Sequence, residues 1–433
     1  MLLNRDRAVA LMDKCNVDVL VASLPENVLY FSGYAGWITW KQKERYTDPG
    51  CGDKFQQAYA VLPRDKTVTP CLVVPMSMAY YSAQVPGWVD LDDIWTYGQF
   101  PMERPPQARI TLEEEVRFEE IRSATDRNRE SAGEALVTAL QRKGLDKGWV
   151  GLDMENLSSK TENMLKNRLP QVKFGNACEL IMLIRMVKSA KEIEFLKKVA
   201  AVNEKGVLSF TGIIEEGRTE NELLQAYRQE LARQGAEIDF VGIRAGSRVT
   251  GFYPPSDYQI NKGDVVFWDV GCSLNHYHAD TGNAAVLGKP SEELETISKG
   301  TKAVMQTALE KVEPGIRPSE IVNAIYNARR DHGMLQIGGS LHGIGLEIRE
   351  YPVNIPANQS VISDDFVKPM SADIPLEENM VINIEVPYRK LGVGGVQIEL
   401  TLCVTESGFQ YVSEWVPEYL GDNGLFMLGN ERY

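Results

Sequence analysis

Phe267-Trp-Asp-Val-Gly-Cys-Ser-Leu-Asn-His-Tyr-His-Ala-Asp280-Thr-Gly282 is the stretch on which the reading of this chain turns. It reads as an apolar strand ending in a carboxylate, Asp269, then a tight turn at Gly271 and a returning strand with a second carboxylate, Asp280. The two acids stand eleven residues apart, a spacing a hairpin closes so that both side chains meet on one face. Carboxylates pressed together near a core repel unless they share a proton or a cation. His276 and His278, between them, read as hairpin-tip residues rather than ligands.

Three later segments offer the other parts of a cation site. Gly338-Gly-Ser-Leu-His342-Gly-Ile-Gly places an imidazole among glycines that let backbone approach closely. Met380-Val-Ile-Asn-Ile-Glu385 and Gly395-Val-Gln-Ile-Glu399-Leu-Thr-Leu each set a carboxylate in an otherwise apolar strand. An ionised Glu there is costly to bury unless it is paired or metal-bound. Singly, each acid reads equally well as an edge residue facing solvent. Four acids and one His that all follow apolar strands are harder to explain that way. Two divalent cations would balance four carboxylates, and oxygen-rich ligation with one imidazole suits Mn²⁺, Fe²⁺ or Co²⁺ at least as well as Zn²⁺.

At 433 residues the chain exceeds one ordinary core, so two domains are expected. In the first half, a helix over 4–15 and strands over 17–22, 58–62, 69–75 and 149–153 alternate with a helix over 131–143. That pattern predicts a small α/β domain over 1–175. Tyr34, Trp37, Trp40 and Tyr46 lie on a loop that either packs on its own domain or covers a ligand site or a neighbouring subunit. A linker helix near 180–189 precedes a long helix from Ala190 with an apolar stripe at Ile193, Leu196, Val199 and Ala200. The second domain spans 188–433. Within it Glu215, Gly217, Glu222, Ala226 and Gly235 match Glu313, Gly315, Glu320, Ala324 and Gly333 at a constant offset of 98. Thr219 and Glu222 form a capping box, Pro318 sits early in the second copy's helix, and each copy closes at a Gly. A duplication of this kind makes a pseudo-symmetric pair of α/β halves with a site in the seam.

The net charge of −14 argues against nucleic acid or anionic membranes as partners. The six scattered cysteines contain no CxxC pair, so neither a disulfide framework nor a zinc ribbon is expected. The N-terminus lacks a secretory h-region, and no apolar run approaches the roughly 20 residues that span a bilayer. A cytoplasmic chain with reduced thiols is expected.

The ordered set Asp269, Asp280, His342, Glu385, Glu399 resembles the methionine aminopeptidase, prolidase and Xaa-Pro aminopeptidase family, and residues 1–175 resemble the creatinase/prolidase N-terminal domain. The resemblance implies an α/β (α+β) pita-bread catalytic domain behind a smaller creatinase-type domain, and a homodimer. It implies two divalent metal ions, Mn²⁺ foremost with Fe²⁺, Co²⁺ or Zn²⁺ as alternatives. Asp280 and Glu399 would bridge them, Asp269 would chelate one, and His342 and Glu385 would complete the other. The implied reaction is hydrolysis of a peptide or amide bond by a metal-bridging hydroxide, with Glu385 as general base and His342 as a second catalytic residue.

Two positions depart from that pattern. The peptidases keep a histidine seven residues after the metal histidine and another about seventeen before the first aspartate. Here those positions hold Arg349 and Phe252. Arg349 either binds a substrate carboxylate bidentately or pairs with Glu347 or Glu350 on the surface. Phe252, Tyr351 and Trp37 join it as candidate substrate-binding residues. The long segment 354–375, with Asp364, Asp365 and Phe366, reads as a flap. The alternatives are a non-peptidase metalloenzyme of the same fold, such as a dimethylsulfoniopropionate-type lyase on a betaine-like molecule, and a catalytically silent binding protein.

Overall fold

The computed structural model describes all residues except Met1, 37–51, 55, 85–88, 104, 106, 108, 250, 252, 335–339, 355–371, 414–418 and 429–433. Trp37, Trp40, Tyr46, Phe252 and the expected flap acids Asp364 and Asp365 with Phe366 lie outside the described residues. The chain divides into two compact units, one built from Met1–Arg185 and the other beginning at Met186.

The first unit is a seven-stranded mixed sheet. Its strands are β1 (Val19–Ala22), β2 (Tyr59–Pro63), β3 (Cys71–Pro75), β4 (Ile94–Tyr97), β5 (Asn128–Arg129), β6 (Gly148–Leu152) and β7 (Val172–Asn176), in the order β5-β4-β3-β2-β1-β6-β7. β1, β2 and β3 read as unbroken apolar runs because they are buried throughout. The helix Ala132–Arg142 covers one face with Ala135, Leu136, Ala139 and Leu140. Tyr34 takes the first of its two expected roles: it is buried in its own unit with its ring edge-on to Tyr81.

The second unit holds two antiparallel sheets. The first contains β8 (Glu237–Ala245), β9 (Val265–Leu274) and β10 (Tyr277–Val286) in the order β10-β9-β8. The second contains β11 (Ser340–Gly343), β12 (Glu350–Val353), β13 (Val381–Glu385), β16 (Glu399–Thr405) and β17 (Gly408–Tyr411), in the order β12-β11-β13-β16-β17. A ribbon of β14 (Tyr388–Lys390) and β15 (Gly394–Val396) joins β13 to β16. Two helices lead into each sheet: Ala190–Thr211 and Glu220–Gln234 into the first, Glu292–Leu309 and Pro318–Asp331 into the second. The matched glycines of the repeat share left-handed backbone, Gly217 with Gly315 (φ 87° and 93°) and Gly235 with Gly333 (φ 74° and 64°). Thr219 and Glu222 make the expected capping box, and Pro318 is the first residue of its helix.

The hairpin β9–β10 corrects one expectation. Its turn is not at Gly271 but at Asn275 and His276, both at positive φ (51° and 69°), between the paired residues Leu274 and Tyr277. A two-residue turn with this backbone matches the twist of the strands. Gly271 lies inside β9 because Phe240 packs on it; a Cβ there would sit 2.4 Å from the Phe240 ring and 2.9 Å from the Ala279 carbonyl. Alternation along β9 sends Trp268 and Val270 into the core, where Trp268 meets Phe210 and Phe426 edge-on. Asp269 therefore emerges on the other face.

Candidate metal centre

Register alone brings the acids together. In β9–β10, Asp269 pairs with Gly282 and Asp280 with Gly271, so the two carboxylates are diagonal neighbours on one face. In the second sheet Ser340 pairs with Glu385 and Glu385 with Glu399, while His342 pairs with Asn383. The sheets meet where Thr401 Oγ1 donates to the Asp280 carbonyl at 3.4 Å. One ligand atom each from Asp280, His342 and Glu399 lies within 4.8 Å of the others, and all three residues are buried. His342 Nε2 is 3.3 Å from Glu385 Oε1 and 3.9 Å from Asp280 Oδ2. Asp269 joins the group through Gln397, which donates to it, and through repulsion from Glu385.

The protonation of this cluster fits a cation. His342 Nδ1 lies 2.9 Å from the Gly343 carbonyl, which can only accept, so Nδ1 carries a proton and Nε2 is the ring nitrogen that faces the carboxylates. Asp280 Oδ1, His342 Nε2 and Glu385 Oε1 are buried without a hydrogen-bond partner. Oxygen donors and one imidazole nitrogen that repel each other when left alone are the donor set of a divalent transition metal. Burial, then the neighbouring carboxylates, push Asp269 up to about 6 and Asp280 and Glu399 well above the usual carboxylate range. Glu385 is the exception. Burial raises it, but His342, Ser340 and Arg349 outweigh burial and hold it below the ordinary value.

Three residues around the centre escaped the sequence reading. Both oxygens of Glu399 are held by neutral amides, Oε1 by Asn383 Nδ2 at 2.7 Å and Oε2 by Gln397 Nε2 at 2.8 Å. Asn383 stands two residues before Glu385 and Gln397 two before Glu399, so a period-two reading of polar residues in apolar strands would have found both. Arg389, on β14, stacks its guanidinium 5.0 Å above the Phe267 ring and favours ionisation of Asp269. Gly282 is obligatory, since a Cβ there would overlap Gln397 Nε2 at 2.0 Å and Glu399 Oε2 at 2.5 Å.

The candidate substrate residues fare unevenly. Arg349 is exposed, with its guanidinium 3.9 Å from Glu385 Oε1. The surface pairing of Arg349 with Glu350 does not occur, because Glu350 is buried against Lys188 at 2.7 Å. Tyr351 is half-buried on β12, its carbonyl packed where Gly343 has no side chain. Among the hairpin histidines, His276 is at the tip and His278 Nδ1 lies 2.7 Å from Asp239. The five described cysteines are free, and no described helix is long and apolar enough to cross a membrane.

A buried cluster of carboxylates and one imidazole, set where two antiparallel sheets meet, is a candidate metal centre. Comparison with known proteins agrees. Residues 194–406 match the model of metallopeptidase family M24, and residues 5–187 match the creatinase/prolidase N-terminal domain. The chain is 29% identical to the Xaa-Pro dipeptidase of Pyrococcus horikoshii over 249 residues, covering 56% of this chain and 67% of that one. It is 28% identical to the Xaa-Pro dipeptidase of Pyrococcus furiosus over 267 residues, 60% and 72% of the two chains. The prolidase structure from P. horikoshii superposes with a TM-score of 0.67 at 22% identity, covering 95% of this chain and 97% of that one. The X-Pro aminopeptidase structure from Thermotoga maritima gives 0.67 at 19%, with the same coverage. The chain belongs to metallopeptidase family M24: it is a metallohydrolase with the pita-bread fold and a creatinase-type N-terminal domain. That family implies divalent metal ions. The small-molecule lyase alternative gains no support from these relatives.

Proposed function

We propose that the chain hydrolyses small Xaa-Pro-type peptides, with 1–175 as the creatinase-type domain and 188–433 as the catalytic domain. Asp269, Asp280, His342, Glu385 and Glu399 would hold two divalent cations, Mn²⁺ foremost. The observation that carries this reading is the set of buried, unpartnered ligand atoms on Asp280, His342 and Glu385, in a chain whose relatives are peptidases. Bound there, the cations would supply a hydroxide nucleophile at neutral pH and polarise the scissile carbonyl.

The chain's own residues do the rest. Glu385, held below the ordinary carboxylate range, is ionised at neutral pH and can accept a proton at Oε1. Asn383 and Gln397 fix the Glu399 carboxylate with both oxygens engaged, so its orientation does not depend on the substrate. His342 is oriented by the Gly343 carbonyl, which holds Nδ1 and turns Nε2 toward the centre. Arg349, exposed at the edge of the centre, is placed to take the carboxylate of a short peptide. A cytoplasmic homodimer belongs to the same proposal and is tested by light scattering.

The deciding experiment is a panel of Xaa-Pro dipeptides and tripeptides assayed with Mn²⁺ or Co²⁺. Turnover is expected. No turnover of any member, with about two metal ions still bound per chain, would overturn the peptidase reading.

A further inference from the structure

The turn that leaves β11 after Gly343 and returns as β12 at Glu350 ends on Arg349. Its shape is built around a buried carboxylate. Glu350 Oε1 accepts from the Glu347 amide at 3.1 Å, and Gly345 lies so close that a Cβ would sit 2.7 and 2.8 Å from the two carboxylate oxygens. Glu350 Oε2 accepts from Lys188 Nζ at 2.7 Å, with the two side chains 0% and 1% exposed.

Lys188 is itself fixed. Its amide donates to the Asn379 carbonyl at 2.9 Å, Val187 bridges to Met380, and Ser189 caps the helix that follows. The turn is tied on its other sides to two of the strands that carry proposed ligands, β10 and β13. His278 N donates to the Gly345 carbonyl at 2.9 Å, and Ile344 N to the Val381 carbonyl at 3.2 Å. Arg349, by contrast, has a side chain 68% exposed that reaches no nearer Glu385 than 3.9 Å. Packing does not place that guanidinium, so the backbone of the turn must. A buried ion pair contributes little net stability compared with an apolar pair of the same volume, and its use is best sought in what it positions.

We infer that the Lys188–Glu350 pair is a positioning device: it locks the 344–349 turn so that Arg349 meets the carboxylate of a short peptide at the metal centre. This rests on the reading of Arg349 as the carboxylate anchor. Lys188 and Glu350 touch neither substrate nor metal and act through Arg349.

The test compares Glu350→Gln, Lys188→Arg, Arg349→Ala and the double variant Glu350→Gln/Arg349→Ala in the full chain. Metal per chain is measured, with kcat and KM on an Xaa-Pro dipeptide, or the dipeptide Kd by calorimetry where turnover is absent. Glu350→Gln is expected to keep its metal, hold kcat within about two-fold and raise KM about ten-fold, the scale of one misplaced charged contact. In the Arg349→Ala background the same substitution should raise KM no further. Lys188→Arg keeps the charge and serves if Glu350→Gln does not fold. It should raise KM a few-fold, again only when Arg349 is present. Equal KM increases with and without Arg349, or none, would overturn the positioning role. If Arg349→Ala itself leaves KM unchanged, the anchor reading fails, and this inference with it. If Arg349→Ala raises KM while Glu350→Gln and Lys188→Arg are silent, only the inference fails.

Discussion

Asp280 and Glu399 sit where burial and like charge both oppose ionisation, and in the proposed centre each would be a ligand to the metals. Asp280→Ala or Glu399→Ala is expected to lose both metals and all measurable hydrolysis, read by elemental analysis and assay together. The amides are a subtler case. Replacing Asn383 or Gln397 with Leu leaves the Glu399 carboxylate in place but frees one oxygen to turn. Metal affinity should fall about 10- to 100-fold in chelator competition while the fold persists; unchanged affinity would show that the amides only fill space. The contrast marks what was legible at this scale. A carboxylate inside an apolar strand violates the pattern around it, so Asp269, Asp280, Glu385 and Glu399 announced themselves. Gln397 and Asn383 are neutral and carry no such penalty; their period-two spacing from Glu399 and Glu385 marks them, but what they hold appears only once β13 and β16 are in register. Glu350 misled for the opposite reason. It looked like a surface acid in Glu347-Ile-Arg-Glu350, and only the fold brings Lys188, far away in sequence, to bury it.

The hairpin β9–β10 shows what an element can hide. A glycine between two apolar strands suggests a turn, yet Gly271 serves close packing while Asn275 and His276 make the turn. Periodicity located both strands, but it could not say which residues take positive φ, because a glycine is chosen for lack of a side chain as readily as for a left-handed backbone. Gly271→Ala should therefore be damaging even though alanine suits an extended strand. The added methyl meets Phe240 and a fixed carbonyl, and overpacking of this kind costs about 1–3 kcal/mol. Chemical denaturation measures it. A stability equal to that of the unaltered chain would mean that Phe240 swings away freely. The repeat was readable in outline for a related reason. Caps and left-handed glycines are local features that survive divergence, whereas the strands of the two halves differ in number and pairing.

At the scale of the whole molecule, an acidic chain stores repulsion at several buried points, and one lies outside the metal centre. Glu192 is 2% exposed at the start of the helix Ala190–Thr211, where it closes the capping box with Ser189 and accepts from the Tyr277 hydroxyl at 3.2 Å. Burial pushes it up to about 7; Glu350 adds to the rise, while Lys188 and Ser189 oppose it. The sign follows from linkage. An acid whose folded pKa is raised contributes stability that is full below its unfolded value of about 4.5 and is lost as pH climbs through the folded value. Between those limits unfolding releases a proton, and a shift of this size corresponds to about 3 kcal/mol over the window. Glu192→Gln keeps an oxygen for the Ser189 amide and turns its NH2 to the Tyr277 hydroxyl oxygen, which then accepts, but it cannot ionise. Metal-free chain and variant should thus be compared by denaturation from pH 5 to pH 8. Stripping the metal lets the acid centre titrate equally in both, so that only their difference reports on Glu192. The variant is expected to gain on the unaltered chain by up to about 3 kcal/mol across that range, most of it by pH 7. A difference that stays flat with pH would place the proton elsewhere and return Glu192 to the role of an ordinary helix cap.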